Sequence, residues 1–424
     1  MSEKIQKYRF LSKFLPNSTV KKLVVITGAR QTGKTTLAKA KYPDLRYINL
    51  DSPENREIAR SIMSASWSRD IGNAVIDEAQ KEAVVFEKIK YAYDDGGISF
   101  SVMLGSSHIL LLKKIRESLA GRVSMYELWP LLMRELRYDS SAEEAFIKAP
   151  LIDMLFSRGD IDKIFSGVPA FLTDREDAGC RDAENHILKW GGMPALLHIP
   201  DDNERWKWLK DYEYTYLERD LGDLARLSDL EPFRKFQKLS ALRSGKLLNY
   251  SELARDASVS VDTAKRYLEY LRLSYQVMLI QPYYKNITSS VVKTPKLYWV
   301  DVGLLRQLCG YREGVSGEIY ETMVVAELCK WIKTTPSSVA QVYFYRTRSG
   351  MELDILLETE GGVIGMEIKS RPTISPGDIT AMREIAGRLG SAWRGGLVIY
   401  TGNEIKKIQE PAIWAVPSRR LFAG

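Results

Sequence analysis

The sequence predicts a multidomain α/β protein, on three observations. Its 424 residues exceed what one hydrophobic core organises, and at roughly 150 residues per domain they point to about two to four domains. Near the N-terminus the apolar run Lys22–Ile26 feeds a glycine-rich loop and then a helical pattern, the strand, loop and helix of a parallel sheet that binds phosphate. Past Gly310, helix, strands, helix and strand follow in turn, which predicts a second α/β unit at the C-terminus. Breaks in pattern divide the chain into 1–139, a helix-rich 140–230, 231–309 and 310–424. With 45% hydrophobic and 27% charged residues, whole-chain disorder and collagen-like architectures are excluded. The N-terminus is charged from its third residue and no apolar stretch approaches the roughly 18 residues needed to span a bilayer, so a cytoplasmic protein without a membrane partner is expected. Cys180, Cys309 and Cys329 are widely spaced and form no ligand-spaced cluster with His108, His186 and His198, which argues against structural zinc or a disulfide framework.

The loop reads Gly28-Ala29-Arg30-Gln31-Thr32-Gly33-Lys34-Thr35-Thr36, a G-x-x-x-x-G-K-[ST] run with a strand before it and a helix after it. Gly28 and Gly33 let the backbone curl so that its N–H groups cradle phosphate oxygens, and the helix that begins near Lys34 directs its positive end at the same charge. Lys34 is expected to reach the β- and γ-phosphates of ATP, and Thr35 to hold Mg²⁺. Downstream, Ala74-Val75-Ile76 leads into Asp77 and Glu78. Asp77 is the expected metal-side acid and Glu78 the base that activates water. A third strand, Phe100 to Leu104, ends in Gly105-Ser106-Ser107. That puts hydroxyls where a γ-phosphate sensor would sit, with a plain strand-to-loop turn as the alternative.

Between Glu231 and Lys296, twelve lysines and arginines face five acids, the footprint of a polyanion-binding face or of an ordinary solvated surface. Within it, 249–255 reads as a short helix, 256–260 as a turn, and Val261 to Arg272 as a second helix capped by Ser260. Val261, Ala264, Leu268 and Leu271 are expected inward, leaving Lys265, Arg266 and Arg272 outward. This is a helix-turn-helix plan, and the strands around a Lys/Asn/Thr/Ser-rich segment predict a winged helix. Contact with DNA phosphates and contact with a protein both suit it.

In the C-terminal unit Asp354 lies on the second strand, while Glu367 and Lys369, two apart on the third, share a face. Glu321 on the preceding helix can join them. An Asp, a Glu-x-Lys and a helix glutamate form the constellation of the restriction-endonuclease-like, or PD-(D/E)xK, fold, in which the acids hold a second divalent metal. A salt-bridged sheet face is the alternative.

The segments GARQTGKTTLA, YINLD, VIDEAQK, MLGSS, SLAGR, LWPLLMREL, GGMPALL, YTYLERDL, LYWVDVGLL, GEIYETMVVAEL, FYRTRSGMELDILL and GMEIKS resemble the successive signatures of the prokaryotic "archaeal ATPase" group. These are AAA-type P-loop proteins whose C-terminal half is a domain of unknown function, and the likeness covers most of the chain. It implies an AAA-type nucleotide domain, a helical lid over 140–230, and Arg122 as an arginine sensor or finger, against a solvated helix-end arginine. Leu104 departs from the group's threonine before the Gly-Ser pair, so sensing falls to Ser106 or Ser107 or is weakened. The expected function is an Mg²⁺-dependent ATPase that couples nucleotide state to nucleic-acid binding and nucleolytic processing. The alternative is a signalling-type switch acting on a protein partner, with an inactive nuclease-like docking domain.

Overall fold

A computed structural model describes residues 7–105, 119–139, 150–225, 230–284, 292–336, 338–410 and 412–424, without the side chains of 216–225. Among them, no helix is long and apolar enough to cross a membrane.

The N-terminal part is a sheet of five parallel strands, β1 (Lys22–Thr27), β2 (Arg46–Asn49), β3 (Ala74–Asp77), β4 (Phe100–Gly105) and β5 (Val123–Glu127), in the order β2-β3-β4-β1-β5. Both faces are covered, as an all-parallel sheet requires. Val24 and Ile26 pack on one side with Leu37 and Ala38 of α1 (Lys34–Lys41), while Leu23 and Val25 pack on the other with Trp67, Phe86 and Ile89. Continuous apolar runs, rather than alternation, are the result.

The helix-rich segment, expected as a lid over 140–230, contacts two parts of the protein. Residues 150–173 and α2 (Asp174–Trp190) pack on the C-terminal unit: Arg394 donates to the carbonyls of Leu155 (2.9 Å) and Gly159 (2.5 Å), and Arg419 pairs with Asp177 at 2.8 Å. Helix α3 (Asp202–Ala225) reaches the nucleotide loop through Tyr212.

Next come α4 (Glu231–Ala241), α5 (Tyr250–Ala257) and α6 (Val261–Leu273), with a small antiparallel set of β6 (Lys246–Leu247), β7 (Val277–Pro282) and β8 (Lys296–Trp299). Ser260 caps α6 by accepting from the Thr263 N–H at 3.1 Å. Ala264, Tyr267, Leu268 and Leu271 are buried, but Val261, expected inward, is exposed because it occupies the first turn beside the cap.

After α7 (Val302–Cys309) and α8 (Gly317–Thr334), the C-terminal unit builds β9 (Gln341–Arg346), β10 (Glu352–Thr359), β11 (Gly362–Lys369), α9 (Thr380–Leu389), β12 (Trp393–Tyr400), β13 (Lys406–Gln409), β14 (Ile413–Pro417) and α10 (Ser418–Phe422). The β10–β11 hairpin turns at Glu360 and Gly361, since Gly362 is already in register with Thr359. Strand β7 pairs with β9, so one nine-stranded sheet, β13-β14-β12-β11-β10-β9-β7-β8-β6, runs across the expected boundary at 309/310. Helix α8 braces this assembly against the nucleotide domain. Its buried Glu327 accepts from the Met133 N–H at 2.9 Å, and Lys330 donates to Leu131 O at 3.1 Å.

Candidate functional site

The glycine-rich loop sits at the C-terminal end of β1. Gly28 has φ +150°, and a Cβ there would stand 2.1 Å from Leu128 O, so only glycine fits. The Lys34 ammonium donates to the carbonyls of Gly28 at 2.9 Å and Ala29 at 2.7 Å, folded back onto the loop it serves. Thr35 Oγ1 donates to Asp77 Oδ2 at 2.6 Å, and the Tyr47 hydroxyl donates to the same oxygen at 2.7 Å. Burial, then the bond to Asp77, pushes the Tyr47 phenol up, so it remains a donor at neutral pH. A hydroxyl and a carboxylate in contact are hard oxygen donors that suit Mg²⁺.

Glu78 follows Asp77 with φ +52°, a left-handed conformation that costs a non-glycine residue about 1 to 3 kcal/mol. The Glu78 N–H donates to Asp77 Oδ1 at 2.9 Å, and Glu78 Oε2 accepts from Gln80 Nε2 at 2.6 Å. The two acids are thus turned apart, one toward Thr35 and one toward Gln80. Strand β4 runs between β1 and β3, with Gly105 in register with Thr27. Ser106 and Ser107, expected as sensors, lie outside the described residues.

Arg122 is not at this site. It immediately precedes β5, at the sheet end opposite the loop, where its guanidinium grips Asp94 with bonds of 2.7 and 3.0 Å. Within one chain Arg122, expected as an arginine sensor or finger, does not reach the loop, because in a parallel sheet the start of a strand lies a strand length from the phosphate end.

Several side chains at the site had no spacing signal. Arg9 donates to Thr32 O at 2.5 Å and Trp129 O at 2.6 Å, and pairs with buried Glu135 at 3.1 Å, clamping the loop from the N-terminal segment. Tyr212 on α3 donates to Arg30 O at 3.3 Å. Tyr275, two residues beyond α6, sets its hydroxyl 2.7 Å from Thr27 Oγ1, directly before Gly28. Tyr275 is 4% exposed, has φ +63°, and meets Trp129 edge-on.

On the outward face of α6, Lys265 stands 3.6 Å from Asp262, and Arg272 holds Glu269 at 2.6 Å. Arg266 is exposed. The basic excess is weaker at the surface than the composition suggested: Arg243 pairs with Glu252 and Asp256, and Lys296 is buried.

Lys296 reaches the C-terminal acids instead. It lies 2.6 Å from Glu352 and 3.4 Å from Glu321, which also accepts from the Tyr298 hydroxyl at 2.6 Å. Asp354 accepts the Ile368 N–H at 2.8 Å, and Glu367 pairs with Lys369 at 2.7 Å. Burial, then the carboxylates of Glu367 and Glu321, holds Asp354 well above the usual carboxylate range, against Lys296 and the Ile368 N–H. Burial also raises Glu367, opposed by Lys369. For Lys296, burial alone would lower the value, but Glu321, Asp354 and Glu352 together outweigh it and the net shift is upward. Among the described residues no three His, Cys, Asp or Glu side chains are disposed to hold a metal ion. The second divalent metal expected here is therefore not supported: the acids are spread over backbone, tyrosine and lysine partners.

Three family models match parts of the chain. Residues 20–137 match the AAA domain family, 181–314 a domain of unknown function (DUF8612), and 316–421 a second domain of unknown function (DUF4143). Uncharacterized protein Rv2008c of Mycobacterium tuberculosis is 29% identical over 419 residues, covering 94% of this chain and 81% of that protein. Uncharacterized protein MJ1544 of Methanocaldococcus jannaschii is 24% identical over 364 residues, covering 81% and 73%. Among solved structures, the Walker-type ATPase PABY2304 of Pyrococcus abyssi is similar with 15% identity and a TM-score of 0.42, covering 72% of this chain and 98% of that one. Residues 20–137 carry a P-loop NTPase-like AAA domain on a parallel five-stranded sheet, which supports an ATP-binding ATPase.

Proposed function

We propose that this protein hydrolyses ATP with Mg²⁺ at the P-loop and uses the nucleotide state to govern a winged-helix contact with nucleic acid. Lys34 neutralises charge on the β- and γ-phosphates, Thr35 and Asp77 hold the metal, and Glu78 takes the proton of the attacking water. Mg²⁺ supplies charge neutralisation between the phosphates when bound. The observation that carries the coupling is the 2.7 Å contact between Thr27 Oγ1 and the Tyr275 hydroxyl, which ties the residue before the loop to the end of α6. A shift of the loop on phosphate binding reaches the helix-turn-helix through that bond. For 310–424, the buried Lys296 beside Glu321 and Glu352 favours the salt-bridged alternative over the restriction-endonuclease-like reading.

Tyr275→Phe keeps the ring against Trp129 and removes only the hydroxyl. It is expected to leave ATP affinity within about fivefold, since one neutral hydrogen bond is worth about 1 kcal/mol, and to abolish any difference in duplex-DNA affinity between ATP-bound and nucleotide-free protein. A nucleotide effect of wild-type size in the variant removes this route of coupling.

The α6 face supplies a separate expectation. Replacing Lys265, Arg266 and Arg272 with Ala should weaken binding to unrelated duplexes alike and flatten the slope of log K against log salt by about 0.9 for each phosphate no longer neutralised. The pairing of Lys265 and Arg272 with acids of their own helix favours a second reading, a switch that acts on a protein partner. Unchanged affinity and slope, with nucleotide-gated association to a protein, would decide for it.

A further inference from the structure

A groove of about 970 Å³ opens between α2, α3 and α7, and no residue of the P-loop, of α6 or of the C-terminal acid cluster lines it. Five cations converge there: Lys189 from α2, Lys207 and Lys210 from α3, Arg306 from α7, and Arg312 from the loop that follows. They face two carboxylates, Asp202 and Glu313. Asp202 is already engaged by Lys189 at 2.6 Å and Arg205 at 3.4 Å. Among the described residues, Lys207, Lys210, Arg306 and Arg312 have no ion-pair partner.

Arg306 is the informative member. It is 2% exposed, donates one N–H to Gly314 O at 2.6 Å, and leaves its buried Nε–H without a hydrogen-bond partner. A buried guanidinium without an anion is costly to maintain, and three further unpaired cations around it add repulsion. Trp206 also lines the groove, and the Arg312 guanidinium lies over its ring at 4.2 Å. A planar group fits beside such a stack. The volume is that of a small-molecule site.

We infer that this groove binds a compact phosphorylated anion of nucleotide size, its phosphates between Lys207, Lys210 and Arg306 and its planar part against Trp206 and Arg312. The site is separate from the P-loop and its test does not depend on ATP turnover.

The experiment uses the full chain carrying Lys34→Ala, which weakens the P-loop as a competing phosphate site, and titrates inorganic pyrophosphate by calorimetry without Mg²⁺. An eight-nucleotide oligothymidylate is titrated in parallel. Both are repeated after adding Lys207→Ala, Lys210→Ala and Arg312→Ala, all at exposed positions whose replacement leaves the core intact. Pyrophosphate is expected to bind the Lys34→Ala chain and to lose at least about tenfold in affinity with the triple substitution, as charge-assisted hydrogen bonds are removed. Absence of pyrophosphate binding, or binding that survives the triple substitution, overturns the assignment. Oligothymidylate binding that the substitution removes, with no pyrophosphate binding, also overturns it and makes the groove a track for a nucleic-acid strand.

Discussion

Glu78→Gln is expected to bind ATP as tightly as the unsubstituted protein and to hydrolyse it roughly 10²- to 10⁴-fold more slowly, the range for loss of a positioned general base. The amide keeps the size of the carboxylate and can still accept from Gln80 Nε2, so the strained backbone at φ +52° has no reason to relax. Lys34→Ala acts on the other half of the site. It removes the ammonium poised over Gly28 O and Ala29 O, and nucleotide affinity itself should fall at least about tenfold, because the phosphates then lack a charge-assisted hydrogen bond. Equilibrium nucleotide binding and steady-state phosphate release, measured on both variants, separate the roles. Wild-type turnover by Glu78→Gln would move the base elsewhere, and unchanged binding by Lys34→Ala would mean the lysine stays folded on the loop when ATP is bound.

The second large effect is on stability. Lys296→Met should destabilise the C-terminal unit by about 3 to 5 kcal/mol, the usual result of removing one partner from a buried ion cluster. Lys296 has a side chain only 4% exposed and serves Glu321 and Glu352 directly. Its upward shift means that it contributes fully at neutral pH and is lost only as pH rises through its raised folded value.

The acids respond oppositely. Asp354 and Glu367 hold their protons to higher pH in the folded protein than in the unfolded chain, so stability should fall as pH rises from the ordinary carboxylate range toward their raised folded values. Asp354→Asn should flatten that fall and, at neutral pH, hold or raise the melting midpoint, since the amide oxygen can still accept from Ile368 N–H. Thermal unfolding without nucleotide, in chelator and in excess Mn²⁺, provides the check. A Mn²⁺ stabilisation of the unsubstituted protein that Asp354→Asn abolishes would return the cluster to a metal site.

The P-loop was legible because its chemistry is local. Gly28 to Thr36 are consecutive, and a strand before and a helix after suffice to aim their N–H groups. The Asp77–Glu78 pair was legible for the same reason, at the end of a short buried strand. Other signature-like segments have a different explanation. Gly191 and Gly192 of GGMPALL, Asp301 and Gly303 of LYWVDVGLL, and Leu131 of LWPLLMREL meet at one packing point. Asp301 accepts the Gly192 N–H at 2.7 Å, and a Cβ on Gly191 would stand 2.1 Å from Asp301 Oδ1, and one on Gly303 2.0 Å from Trp190 O. Burial raises the Asp301 carboxyl, while the N–H groups of Gly192 and Leu304 oppose the rise. These residues join domains.

By itself the sequence determined the nucleotide loop, the placing of Asp77 and Glu78 at the end of a short buried strand, the two helices on either side of 258–260, and the alternation that sets Glu367 and Lys369 on one face. Each depends on neighbours within a turn or a strand. Only the tertiary structure decided that Arg122 faces away from the loop, that Leu155, Gly159 and Asp177 contact the C-terminal unit, that Arg9, Tyr212 and Tyr275 converge on the P-loop, and that Lys296 enters the acid cluster. Their partners lie tens to hundreds of positions away along the chain, and periodicity carries no information about which distant surface will bury a given side chain.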